Sequence, residues 1–117
     1  MANIKRMNGL VFLIIENGEI KDFYRRILYF IDGDFLKERS GLKIYQVDGN
    51  KIKNFYGTIL YQFDGTTFKD FYGRILYFVK GNTVTDFYGK NLYQFDGYLS
   101  FNEKAFLITL IDTGKIE

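Results

Sequence analysis

The chain is predicted to be all-β, with antiparallel β-hairpin repeats of sixteen residues closed into a ring, barrel or flower-like pinwheel. Three observations predict it. A sixteen-residue repeat runs through the 117 residues without insertion or deletion, and self-similarity at a fixed period is the signature of a repeat architecture. Each unit carries two turn signals. The segments between the turns are about five or six residues long and rich in Ile, Val, Leu, Phe, Tyr and Thr, which are strand residues at strand length.

The repeat is clearest in Gly49–Asp64, Gly65–Lys80 and Gly81–Asp96. With Gly49 as position 1, that position holds Met1, Asn17, Gly33, Gly49, Gly65, Gly81, Gly97 and Thr113. Position 9 holds Gly9, Arg25, Gly41, Gly57, Gly73, Gly89 and Ala105. Seven hairpin units and a short terminal strand, in one domain over residues 1–117, are therefore expected, with about fourteen strands in all. The first turn signal is Asp-Gly at positions 16 and 1, suited to a type I′ turn whose two central residues need positive φ. The second is Asp-Phe-Tyr-Gly at positions 6 to 9, suited to a type I turn followed by a left-handed Gly in a bulge.

Both faces of the strands are apolar. Positions 11, 13 and 15 share one face, as in Ile59, Tyr61 and Phe63. Position 12 points to the other and is also apolar, from Phe12 and Leu28 to Ile108. Position 4 is Ile4, Ile20, Leu36, Ile52, Phe68 and Val84, with Ser100 the exception. A sheet with one wet face does not need two apolar faces; a closed one does, and closure removes exposed edges. A β-solenoid with Gly at its corners is the rival, and the Asp-Gly turns favour hairpins. The end copies are the greasiest, at Leu10–Ile15 and Phe106–Ile111. They are expected to bury each other by closing the ring, or to bury a second subunit.

Composition narrows function by exclusion. The chain has no Cys, His, Pro or Trp. It therefore has no disulfide or thiolate zinc site, and it lacks the side chain most used as general base and metal ligand. Paired carboxylates outside turns, a nucleophile beside a base, and a phosphate-cradling Gly loop are also absent, so no enzyme and no cofactor are expected. The net charge of +2 does not call for nucleic acid. Leu10–Ile15 is too short for a signal-peptide core or a membrane span, so a cytoplasmic protein with no membrane partner is expected.

The frame carried by Gly49, Ile52, Gly57, Leu60 and Phe63, and by their equivalents in neighbouring copies, resembles the small bacterial β-hairpin repeat domains called β-flower proteins. The copy Gly33–Asp48 is the most similar, with a polar turn at Lys37–Gly41. The resemblance implies hairpins arranged as petals about an axis, and it implies no activity and no binding residues. The chain departs from it in its recurrent Phe-Tyr before Gly and in having more copies than the four or five petals of that family.

Three repeated columns are candidates for binding. The Asp column at position 16 suits a cation on oxygen count alone, but Asp before Gly is sufficiently explained by the turn. Lys5, Lys21, Lys37, Lys53 and Lys69 at position 5 form a basic stripe that could track phosphates. Acidic neighbours at position 6 dilute it, and a solvated face that resists edge association is the simpler account. Tyr24, Tyr56, Tyr72 and Tyr88 at position 8 lie at turn tips, where exposed rings stack on sugars or anchor a protein partner. Folding back over the hairpin is the plainer alternative. The tyrosines at position 13, from Tyr29 to Tyr93, are expected in the core. The expected function is a non-enzymatic structural or protein-interaction module, self-associating through its apolar ends. A glycan-binding module that uses the turn tyrosines is the alternative, and nucleic acid is the weakest expectation.

Overall fold

Gly and Asx residues punctuate the chain about every eight residues, and the segments between them pair with their neighbours in sequence. The computed structural model describes residues 1–116. Among them are twelve strands and one helix: β1 (Ala2–Arg6), β2 (Val11–Glu16), β3 (Glu19–Asp22), β4 (Ile27–Asp32), β5 (Phe35–Glu38), β6 (Lys43–Asp48), β7 (Lys51–Asn54), β8 (Ile59–Phe63), β9 (Thr67–Asp70), β10 (Ile75–Lys80), β11 (Thr83–Asp86), β12 (Asn91–Gly97) and α1 (Phe101–Asp112). All the strand pairings are antiparallel, each strand pairs with the next, and β1 pairs with β12 to close the barrel. The closing seam runs from Ala2 opposite Gly97 to Arg6 opposite Tyr93. Gly97 has φ +113°, and a Cβ there would run into the Met1 carbonyl, so the seam needs glycine at this point.

The inner layer is set by register. Ile4 lies opposite both Leu13 and Phe95, and Ile20 lies opposite both Ile15 and Tyr29, so positions 4, 13 and 15 share the inner face. Every position-4 residue from Ile4 to Val84 is fully buried. Position 12 behaves differently from the expectation of a second apolar face. In each hairpin with a Phe-Tyr-type turn the register shifts, so that Lys21 lies opposite Ile27 and Ile20 opposite Tyr29, which leaves Leu28 without an opposite residue. Phe12, Leu28, Ile44, Leu60 and Leu76 are thus bulge residues, half-buried and packed against the core. Bulges bend a strand and increase its twist, and one at every second hairpin helps the sheet to curl shut.

The last copy corrects the expectation of a seventh hairpin and a terminal strand. Residues Phe101–Asp112 form α1, and the chain has twelve strands rather than about fourteen. Beyond α1, Thr113–Ile116 form a turn rather than a strand; Glu117, the last residue of that expected strand, lies outside the described residues. The physical reason is local. Ala105 stands where the turn needs Gly. Ser100 caps the helix in a capping box, accepting from the Glu103 N–H at 3.2 Å while the Glu103 carboxylate accepts from the Ser100 N–H at 2.8 Å. Gly114, with φ +72°, ends it: the Lys115 N–H reaches the Leu110 carbonyl and the Gly114 N–H that of Ile111, a Schellman ending.

α1 runs through the barrel. Its residues Ala105–Leu110 are all fully buried, so it is enclosed on all sides rather than on one stripe. The hydroxyl of Thr109 is satisfied within the helix by the Ala105 carbonyl at 2.8 Å. Twelve strands enclose more space than inward side chains alone can fill, eight being about the number for which they suffice. A helix about 10–12 Å across with its side chains takes up the excess. Its length, about 18 Å for twelve residues, suits the short dimension of a molecule of 36 × 35 × 22 Å. The apolar last copy is therefore spent inside the barrel, and the ring is closed by β1 and β12 instead of by the first and last hairpins burying each other. Replacement of Phe106 by Ala is expected to cost about 3–5 kcal/mol in urea or guanidinium unfolding, the same as for a residue in the centre of a single core.

Candidate interaction surface

The two kinds of turn lie at opposite rims of the barrel. At one rim the loops after β4 and β6 are two residues long, occupying positions 1 and 2, because Asp32 pairs with Phe35 and Asp48 with Lys51. In these loops position 16 is the last strand residue and not a central turn residue, which corrects the expected frame. Between β8 and β9 the loop is longer, and Asp64 lies in it, accepting from the Thr66 and Thr67 N–H. Only Asn17 and Gly18 have positive φ at both loop positions, the type I′ pattern. In Gly33, Gly49 and Gly81 the first loop residue alone has positive φ, the type II′ pattern with Gly leading.

At the other rim each loop has four residues. The Arg25 N–H bonds the Asp22 carbonyl at 3.0 Å and the Gly57 N–H bonds that of Asn54 at 3.0 Å, a type I turn followed by a left-handed residue. The leading side chain braces the turn: Asp70 Oδ1 accepts from the backbone N–H of Tyr72 and of Arg74, each at 2.9 Å. Partial burial works against charge on Asp22 and Asp70, but these amides and the guanidinium of Arg26 or Arg74 outweigh it and hold both carboxyls below the usual range. The acidic side chain of the turn is thereby consumed in bracing it.

The braced turns present aromatic pairs. Tyr24, Tyr56, Tyr72 and Tyr88 are between 76% and 89% exposed, so the rings do not fold back over their hairpins. Each preceding Phe, at positions 23, 55, 71 and 87, is 56–61% exposed, and its ring meets the Tyr ring edge-on with centroids 5.4–5.6 Å apart. The Arg26 guanidinium lies 5.6 Å from the Tyr24 ring and that of Arg74 lies 5.9 Å from the Tyr72 ring. The two other turns at this rim carry Met7, Leu10 and Leu42, also exposed. The phenylalanines are not among the site residues expected from sequence; their signal is the Phe that precedes every turn Tyr.

The lysine column lies on the outer wall, away from this rim. Lys37 and Lys53 bond Asp32 and Asp48 at 2.7 Å, Lys21 bonds Glu16 at 3.0 Å, and Lys5 lies 3.5 Å from Asp96. The hydrogen bond from the lysine is the main reason that the Asp32, Asp48 and Glu16 carboxyls are held low. Positions 5 and 16 thus pair across the outer wall, and Lys69 belongs to the same column. Among the described residues, no group of three or more Asp, Glu, His or Cys gathers to hold a metal ion.

The position-13 tyrosines line the inner wall near the helix C-terminus. Tyr61 and Tyr77 donate their hydroxyls to the two carboxylate oxygens of Asp112 at 2.6 and 2.9 Å. Asp112 ends α1 where the helix dipole disfavours an anion, and the two phenols offset that. Burial, then the hydrogen bond to the Asp112 carboxylate, pushes both phenols above the usual tyrosine range. Raised folded-state values mean stability that is fully present below the ordinary tyrosine pKa of about 10 and lost as pH rises above it. Asp112→Asn is expected to move the late phase of tyrosine ionisation, followed by absorbance, to lower pH.

Compared with known proteins, the chain matches no family model, no curated protein and no solved structure.

Proposed function

We propose that this barrel is a non-enzymatic interaction module that works through its aromatic rim. The observation that carries the reading is the repetition, on one rim, of four exposed Phe-Tyr pairs held by braced turns. Of the fourteen exposed large hydrophobic residues among those described, all but Met1, Tyr98 and Phe101 belong to that rim. Scattered exposed apolar residues need no explanation, whereas a contiguous set marks a contact surface. The rings contribute nothing to the core, so their repetition is not accounted for by folding. The hairpins further support a relation to β-flower domains, since Gly49 and Gly57 serve as turn residues while Ile52 and Phe63 face the centre. In that reading the chain has six petals about a helical axis.

A glycan ligand is the second reading. It is favoured by open clefts between neighbouring turns, one of about 380 Å³ lined by Leu42, Tyr45, Phe55 and Tyr56, where an exposed ring stands beside polar groups as sugar stacking requires.

The variant Tyr56→Ala/Tyr72→Ala/Tyr88→Ala separates rim function from folding. Its unfolding free energy is expected to stay within about 0.5 kcal/mol per site of the parent, because the rings are exposed. Binding to an immobilised glycan panel, and concentration-dependent association in light scattering, are the two readouts. A variant that keeps whatever association the parent shows in both contradicts the rim reading.

A further inference from the structure

We propose that the aromatic rim docks the barrel, turn tips first, onto a membrane surface rich in anionic lipid. The proposal rests on the rim being the interaction surface and names its partner.

Three observations carry it. The first is shape. The four Phe-Tyr turns and the two turns bearing Met7, Leu10 and Leu42 end at the same rim of one closed barrel, so their exposed side chains form a ring of near-equivalent tips. A ring of equal tips matches a laterally uniform surface better than a partner with one particular contour. The clefts between tips are shallow and open, such as that of about 400 Å³ between Leu10, Phe12, Phe23 and Tyr24. The second is chemistry. Phe and Tyr with Arg beside them is the composition favoured at the boundary between headgroups and hydrocarbon, where rings sit among the headgroups and guanidinium groups reach phosphates.

The third is charge. Arg6, Arg25, Arg26, Arg39, Arg74 and Lys90 belong to the aromatic rim together with Asp22, Glu38, Asp70 and Asp86, six cations against four carboxylates, so this end is net positive. Towards the opposite rim Glu16, Asp32, Asp48 and Asp96 are paired with Lys21, Lys37, Lys53 and Lys5. The excess behind the net charge of +2 therefore lies towards the aromatic rim. An anionic surface attracts that rim more than the paired opposite one, which favours an approach with the aromatic rim towards the lipid. Two copies brought together by their aromatic rims would oppose like charges, which disfavours a rim-to-rim pair. Docking of this kind needs no spanning segment, and among the described residues no helix is long and apolar enough to cross a membrane.

The test is co-sedimentation with vesicles of phosphatidylcholine alone and of phosphatidylcholine mixed with phosphatidylserine, at several salt concentrations. Three proteins are compared: the parent, Phe55→Ser/Phe71→Ser/Phe87→Ser, and Arg26→Gln/Arg74→Gln, each first shown to be folded by circular dichroism. The parent is expected to bind the anionic vesicles, to bind neutral ones much less, and to weaken with salt. The Arg variant is expected to bind the anionic vesicles about tenfold or more weakly, and the Phe variant to lose binding to them. No binding of the parent to anionic vesicles, equal binding to both compositions, or unaltered binding by the rim variants overturns the proposal. If vesicles are not bound but glycan binding or self-association is lost in the same variants, lipid docking is overturned and the rim stands as the interaction surface. If the variants match the parent in every assay, both readings fall.

Discussion

Filling a twelve-stranded barrel with one apolar helix is the constraint on which the rest of the structure depends. Strands of four to seven residues make a short barrel, and short strands contribute few ladder bonds each. The inward residues at positions 4, 13 and 15 leave a central space that water would otherwise occupy. Phe106, Leu107, Ile108 and Leu110, all fully buried, fill it. Their burial is worth about 6–12 kcal/mol together as an upper estimate, the size of a domain's whole net stability of about 5–15 kcal/mol. The wall and its filling are thus mutually dependent, and neither has a core without the other.

The wall is legible in the sequence and the filling is not. Sixteen-residue periodicity, two turns per unit and apolar columns lead to a closed antiparallel sheet because turn chemistry and strand alternation are local and repeat. In the same frame Phe106–Ile111 reads as a strand. A continuous apolar run of six residues fits a buried strand or a buried helix equally, and periodicity cannot separate them. The separating signals lie beside it: Ser100 and Glu103 spaced as a capping box, Ala105 in place of Gly, and Gly114 after the run. The Asp-Gly frame is shifted by one position because a two-residue loop led by Gly makes type II′ as readily as Asp-Gly makes type I′.

The candidate site follows the same division. The turn tyrosines can be placed at turn tips from the repeat alone. Whether their rings face solvent depends on where the barrel wall runs, which a local reading does not contain. The Arg-Tyr contacts and the lysine–carboxylate pairs of the outer wall are likewise products of the closed sheet. A repeat that alternates two turn types puts every copy of one type at one end. One sequence unit in this way supplies both a core column facing the helix and an aromatic tip facing outward.

Native-state hydrogen exchange tests the dependence of wall and filling most directly. The amides of Phe106–Leu110 are compared with those of Ile20, Ile52 and Val84 on the inner wall. If helix and barrel form one cooperative unit, the helix amides exchange only through global unfolding, and their opening free energies and denaturant dependence merge with those of the strands. If the helix amides exchange through a local opening of low denaturant dependence while the strands stay protected, the barrel stands without its filling, and the mutual dependence of wall and helix is contradicted.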